Sequence, residues 1–319
     1  MKEEEIIQLF ANPSESMLDD CHHFDRNKLV TTDSLSEGTH FRLDWSSPED
    51  IAIKLIEVNV SDIFSSGGKP KFCLLNLGLS QESRQNSWIT VFSHAFRDRL
   101  SLYGIKLVGG DTFSSKITQL TLTLFGELPS DRLVWSRDKA KLGDIVYLTG
   151  SVGLSQLGYK KLKASDTLKQ NSKPMENSQD QNPSLFEEAI KSHLRPESVY
   201  SKLYESFRNI KINSAMDITD GLFQDSWKLA KASKTHIQIH LDKLPRLDEY
   251  LNYLSLDEIL SSGEELQLLF TSKEKLPEVL NGIAITEIGR LSATDQQAKV
   301  EFLFKNKMYQ PSYLGFEHF

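Results

Sequence analysis

With 319 residues the chain is long for a single core, and two domains of ordinary size are expected. Its 39% apolar and 25% charged residues match a soluble globular protein and exclude a disordered or membrane-embedded chain. The net charge of -7 excludes a general nucleic-acid binder, which needs a basic face, but leaves room for a local basic pocket for phosphate.

The start Met1-Lys2-Glu3-Glu4-Glu5 lacks an apolar signal-peptide region, and no apolar run approaches membrane-spanning length, so the cytoplasm is expected. Cys21 and Cys73 stand in no metal-ligand spacing and read as unpaired thiols. A short helix is expected over 4–10. Leu18-Asp19-Asp20 then sets two carboxylates before a strand, ordinarily the mark of a solvated turn. A β-prone run at 29–32 ends in Asp33, and a polar turn carries Glu37 and His40 before Phe41. Side chains at such a strand end project from a rigid scaffold into a loop-lined cleft.

Ser47-Pro48-Glu49-Asp50 has a capping hydroxyl, proline at the first helical position and acids in the first turn. The helix it opens runs to about 64, with Ile51, Leu55 and Val58 on one face; four residues further lies Asp62. A carboxylate on a core-facing stripe is costly unless paired or metal-bound. Alternatively the helix has ended and Asp62 caps a turn into Ser65-Ser66-Gly67-Gly68. A buried strand at 72–79 and an amphipathic helix marked by Trp88, Phe92, Phe96 and Leu100 follow. The strand at 105–108 ends in Gly109-Gly110-Asp111-Thr112, whose glycines allow a tight turn and close approach to a ligand. Leucine and threonine alternate over 120–124 in a half-buried strand at 117–125. This alternation assigns 1–141 to one α/β domain.

The second domain, 142–319, opens with a strand at 145–149 leading into Gly150-Ser151-Val152-Gly153-Leu154-Ser155, which lacks the Gly-Lys-Ser/Thr ending of a P-loop. Residues 160–184 are polar, with almost no apolar period, and read as a mobile surface insertion. Ser184-Leu185-Phe186-Glu187 has a capping-box pattern; the helix it opens ends at His193-Leu194-Arg195-Pro196, and another is expected over 197–207. Ala215-Met216-Asp217-Ile218-Thr219-Asp220-Gly221-Leu222 runs into an amphipathic helix that a lone Asp220 could simply cap. A short helix at 256–260 and strands at 235–241, 266–271, 283–288 and 300–304 complete the domain.

Asp19, Asp33, Asp62, Asp111, Asp217 and Asp220 thus stand at strand ends, at helix starts or on a helix face. Converging in one cleft they would require cations, and hard oxygen donors with phosphates suit magnesium; scattered surface caps are the alternative. No Cys/His cluster competes for zinc.

Leu18-Asp19-Asp20, the run from Thr31-Thr32-Asp33 to His40-Phe41, Asn59-Val60-Ser61-Asp62, Gly109-Gly110-Asp111-Thr112, His193-Leu194-Arg195-Pro196, Asp217-Ile218-Thr219-Asp220-Gly221, Gly263-Glu264-Glu265 and Gly315-Phe316-Glu317-His318-Phe319 resemble, in order, the signatures of the thiamine-monophosphate kinases. The wider superfamily includes aminoimidazole ribonucleotide synthetase and selenophosphate synthetase. The resemblance implies a two-domain α/β fold of mixed sheets, like that of aminoimidazole ribonucleotide synthetase, and a homodimer joined through the N-terminal sheets. It also implies Mg-assisted direct transfer of the γ-phosphoryl group of ATP to thiamine monophosphate, with no nucleic-acid or membrane partner.

By the same resemblance Asp19, Thr31, Thr32, Asp33, Asp62, Asp111, Asp217 and Asp220 would bind several magnesium ions. Gly110, Asp111, Arg137 and Thr219 would contact ATP, and His40, Glu264 and Phe316 the thiamine phosphate. Asp33, Asp220 and Arg137 would serve the transfer itself, which asks mainly for alignment and charge neutralisation rather than a covalent nucleophile. The chain departs from the family pattern at Leu18, at Cys21-His22-His23 and at Leu266-Gln267. The alternatives are another ATP-using enzyme of the superfamily, or a nucleotide-binding homologue with weak or absent catalysis.

Overall fold

The computed structural model describes residues 3–10, 19–170, 182–292 and 298–312; Leu18 and Phe316 lie outside the described residues, as does part of the polar segment, 171–181. The first half comprises α1 (Glu3–Phe10), β1 (His22–Phe24), β2 (Lys28–Ser36), α2 (Pro48–Ser65), β3 (Lys69–Leu79), α3 (Asn86–Tyr103), β4 (Lys106–Ser114) and β5 (Gln119–Glu127). Its sheet has the order β1-β2-β5-β3-β4, in which only β3 and β4, joined through α3, run parallel. One face packs on α2, and burial alternates along β5 as its leucines and threonines dictate. The other face is open, and β4 is exposed along its whole length.

In the second half lie β6 (Ile145–Thr149), α4 (Leu154–Gln170), α5 (Pro183–Leu194), α6 (Tyr200–Leu203), β7 (Ser214–Asp217), α7 (Leu222–Ser233), β8 (His236–His240), α8 (Leu247–Tyr250) and α9 (Leu256–Leu260). They are followed by β9 (Leu268–Ser272), β10 (Val279–Leu280), β11 (Ile283–Ser292), β12 (Lys299–Phe304) and β13 (Lys307–Tyr309). The second sheet runs β13-β12-β8-β11-β6-β9-β7, with β10 beside β11. Alternate residues of β6 serve two cores: Val146 and Leu148 pack with Leu157, Leu185 and Ile259, whereas Ile145 and Tyr147 face the core shared with α2. None of the described helices is long and apolar enough to cross a membrane.

Helix α2 starts as its sequence dictates. Ser47 caps it, accepting from the Asp50 N–H at 3.1 Å, while the Asp50 carboxylate accepts from the Ser47 N–H at 2.9 Å. A single apolar stripe is expected, but every residue from Asp50 to Ser65 except Ile53 is buried. The reason is its place between the two sheets: Leu55 and Ile63 share a core with Leu29, Leu122 and Leu124 as well as with Ala215, Leu268 and Phe270.

Several sequence expectations are corrected. Strand β2 continues through Asp33, and β4 through Gly109-Gly110-Asp111-Thr112, so neither acid ends a strand. Unbroken pairing of β2 with β5, from Lys28 opposite Glu127 to Ser36 opposite Gln119, carries the first past its polar residues. In the second, Gly110 makes no turn; at φ 153° it lets the strands approach, and a Cβ there would stand 1.8 Å from the Leu75 carbonyl oxygen. Gly110→Ala is therefore expected to cost about 2 kcal/mol or more; an unchanged urea-unfolding midpoint would refute this.

The polar stretch expected to be a mobile insertion is helical as far as Gln170, because Leu157 docks on Leu185 and Ala189 of α5, with Lys161 over the Phe186 ring. Helix α5 is capped by Asn182, whose Oδ1 accepts from the Leu185 N–H at 3.3 Å, two residues earlier than a Ser184 cap would place it. The helix expected over 197–207 breaks into α6 and a 3-10 turn, Ser206–Asn209, as Tyr200, Tyr204 and Phe207 all close around the Phe64 ring.

Candidate active site

Three elements bring a carboxylate each to one point: the turn before β1 (Asp20), the C-terminal part of α2 (Asp62) and the end of β7 (Asp217). An oxygen from each lies within 4.8 Å of the other two. Asp62 accepts from Thr31 Oγ1 at 2.6 Å, and Asp20 from Ser65 Oγ at 2.6 Å. Both oxygens of Asp217 are enclosed without a hydrogen-bond partner of normal geometry, which is costly for an ionised group. Burial, then the charge of Asp20, raises the Asp217 carboxyl well above its ordinary range, and the nearby Ser61 hydroxyl offsets only part of this. Asp62 is raised likewise, by burial and then by Asp33 and Asp217. Asp33, on the α2 side of β2, is pushed up to about 6 by burial, with Asp20, Glu264 and Asp220 adding repulsion.

Cations flank this cluster. The Arg137 guanidinium pairs with Asp20; burial alone would lower its pKa, but the charges of Asp20 and Asp225 raise it. Lys228 of α7 pairs with Asp220 and, at 3.0 Å, with Asp225. Asp225 in turn accepts from the N–H groups of Thr219 and Asp220 at 2.9 and 3.0 Å, ordering the turn that enters α7.

A third cation links this region to the expected thiamine contacts. Lys54, 2% exposed on α2, donates to the His40 carbonyl at 2.8 Å and to Glu264 Oε2 at 2.5 Å. His40 Nδ1 accepts from the Ser36 N–H at 3.1 Å. Glu264 is held at φ 54°, with its N–H donated to the Thr219 carbonyl at 2.9 Å, so it sits against the turn that carries Thr219 and Asp220.

Asp33, Asp62 and Asp217 are thus brought together with Thr31, and Asp220, Thr219, Arg137, Glu264 and His40 surround them. Asp19 is not among them: its carboxylate accepts from Ser136 Oγ and the Arg137 N–H, both at 2.7 Å, and Asp20 takes the place in the cluster. Thr32 and Asp111 lie on the open face of the sheet. Asp111 and Gly110 are on β4, three strand spacings from β2, about 14 Å away. The amides after Gly150 cradle no anion from outside, since Glu265 accepts from the Gly153 and Ser155 N–H groups at 2.7 and 3.1 Å. Sequence reasoning missed Asp20, Lys54 and Lys228. Lys54 had a signal: it lies four residues before Val58 and eight before Asp62, on their helical stripe.

The donor set fits a hard divalent cation. Asp20, Asp33, Asp62, Asp217, Asp220, Asp225 and Glu264 outnumber Arg137, Lys228 and Lys54, every carboxylate offers oxygen, and the two Asp217 oxygens lack a hydrogen bond of normal geometry.

The family model described as AIR synthase related protein, N-terminal domain, matches residues 18–128, and that for the C-terminal domain matches 141–300. The thiamine-monophosphate kinase of Leptospira interrogans is 42% identical over 319 residues, spanning 100% of this chain and 98% of its own. A structure of thiamine monophosphate kinase from Aquifex aeolicus aligns with a TM-score of 0.79 at 31% identity, covering 98% of this chain and 100% of its own. Another, described as AaThiL complexed with AMPPCP and TMP, aligns with a TM-score of 0.81 at 30% identity, covering 100% and 97%.

Proposed function

This chain belongs to the AIR synthase related family and, within it, to the thiamine-monophosphate kinases, and we propose that its acid-lined cleft joins ATP to thiamine monophosphate over magnesium. Its activity is ATP-dependent phosphorylation of thiamine monophosphate. The observation that carries the metal assignment is the Asp20, Asp62 and Asp217 cluster with its two unpartnered oxygens.

Asp20, Asp62 and Asp217, with Asp33 beside them, would hold magnesium, which when bound neutralises phosphate charge so that two anions can meet. Arg137 and Lys228, which flank the acids through Asp20 and Asp220, would receive the triphosphate, the first as a planar fork and the second as a point charge. Lys54 orients Glu264 and the His40 loop toward the thiamine moiety, and Glu264 suits its positive thiazolium ring. We place Phe316 there only by resemblance. The same proposal includes a cytoplasmic homodimer, with a domain boundary at 141. The exposed Val108 and Phe113 of β4 favour pairing of the open sheet faces, which would enclose Thr32 and Asp111.

Purified protein given thiamine monophosphate, ATP and magnesium is expected to form thiamine diphosphate, with no product from thiamine or without metal. Equal turnover in chelator would overturn the magnesium role. No turnover under any condition would overturn the function.

A further inference from the structure

Helix α4 carries an acid that the chemistry above does not use. Asp166, its side chain 16% exposed, faces the loop between β2 and α2. Its Oδ2 accepts from the Trp45 indole N–H at 2.8 Å and pairs with Arg42 Nη1 at 3.0 Å. The Arg42 guanidinium lies 4.2 Å over the Trp45 ring and also binds Asp44 at 2.9 Å. Behind Trp45 stand Tyr159 and His193, with centroids 6.0 and 6.4 Å away, and His193 Nδ1 meets Ser155 Oγ at 3.3 Å.

We propose that Asp166 is a positioning residue for the thiamine-phosphate side of the cleft, fastening the loop that bears His40 to α4 through Trp45 and Arg42. The inference rests on the function proposed above. The relay is continuous: Arg42 and Trp45 follow His40 within five residues, the His40 carbonyl accepts from Lys54, and Lys54 pairs with Glu264. The indole bond carries most of the effect, because it is charge-assisted and half-buried. Arg42 is 44% exposed, so its ion pair is screened and secondary. Asp166 touches neither the acidic cluster nor Arg137 or Lys228, and its relay reaches the ATP side only at one remove, through the bond of Glu264 to the Thr219 carbonyl, so the effect on ATP is the smaller.

The test compares full-length wild type, Asp166→Ala and Asp166→Asn by hydrogen exchange of the 37–46 segment and by steady-state kinetics. Asp166→Ala is expected to accelerate exchange there and raise KM for thiamine monophosphate about tenfold, with kcat and KM for ATP within about twofold. Asp166→Asn keeps an oxygen for the indole N–H but not its charge, and should recover part of the loss. Unchanged exchange overturns the proposal, as does an equal rise in both KM values or a fall confined to kcat. A wild type inactive on thiamine monophosphate would instead overturn the kinase function, and the exchange comparison alone would then decide whether Asp166 holds the loop.

Discussion

Asp217→Asn is expected to lower thiamine diphosphate formation by about a hundredfold or more while stabilising the metal-free protein. The two effects have opposite signs for one reason. Asp217 is 1% exposed, only the Ser61 hydroxyl stands near its oxygens, and Asp20 presses on it with like charge. Without a cation, ionised Asp217 is a cost that an isosteric amide removes; with magnesium, the same charge is a ligand that the amide supplies poorly. Thermal unfolding should therefore show magnesium raising the midpoint of the wild type much more than that of the variant. A variant less stable than the metal-free wild type would count against the metal assignment.

Asp33 extends the argument to pH. Its folded-state pKa of about 6 lies above the unfolded value near 3.9, so its stabilising contribution is intact below about pH 4 and lost as pH rises through 6. The loss is about 3 kcal/mol at pH 8, and it should shrink when magnesium is present. A flat stability profile without metal would contradict this.

Lys54→Met should cost about 2–3 kcal/mol and sharply weaken thiamine monophosphate use. Methionine keeps the apolar volume inside α2, so the loss isolates the ammonium and its bonds to the His40 carbonyl and Glu264. Breaking a fully buried ion pair costs about 3–5 kcal/mol. Glu264 retains 26% side-chain exposure, and its partial rehydration places the figure below that range. Adding Glu264→Gln should recover part of the stability in urea unfolding but none of the activity. Full independence of the two substitutions would show that the pair is not coupled.

The helix start at Ser47-Pro48 and the alternation in β5 were legible because capping chemistry and a period of two are local. The extent of β2 and β4 was not, because strand ends are set by what the neighbouring strand offers, and polar residues are tolerated where a face meets solvent or a cleft. The helical run to Gln170 was missed because docking on α5 needs only a narrow apolar edge. In the site, Asp62 was legible as a charge on a core-facing stripe. Asp20 was not, since adjacent aspartates look alike until the turn aims one at Arg137's backbone and the other at its guanidinium. Lys228 was hidden for another reason: of its partners, Asp220 already had a local explanation as a helix cap, and Asp225 had drawn no reading at all.

Helix α2 has a consequence for the life of the chain as well as for its site. Enclosed by both sheets, it belongs to a core that the two halves share, so the first half holds no complete interior of its own, whereas the second has one besides. During synthesis the emerging first half would present the apolar side of α2 until the strands carrying Ala215 and Phe270 have left the ribosome. The shared core closes only once the second sheet has packed on α2, and that packing brings Asp217 to Asp62. Assembly of the acidic cluster is thereby tied to synthesis of the second sheet.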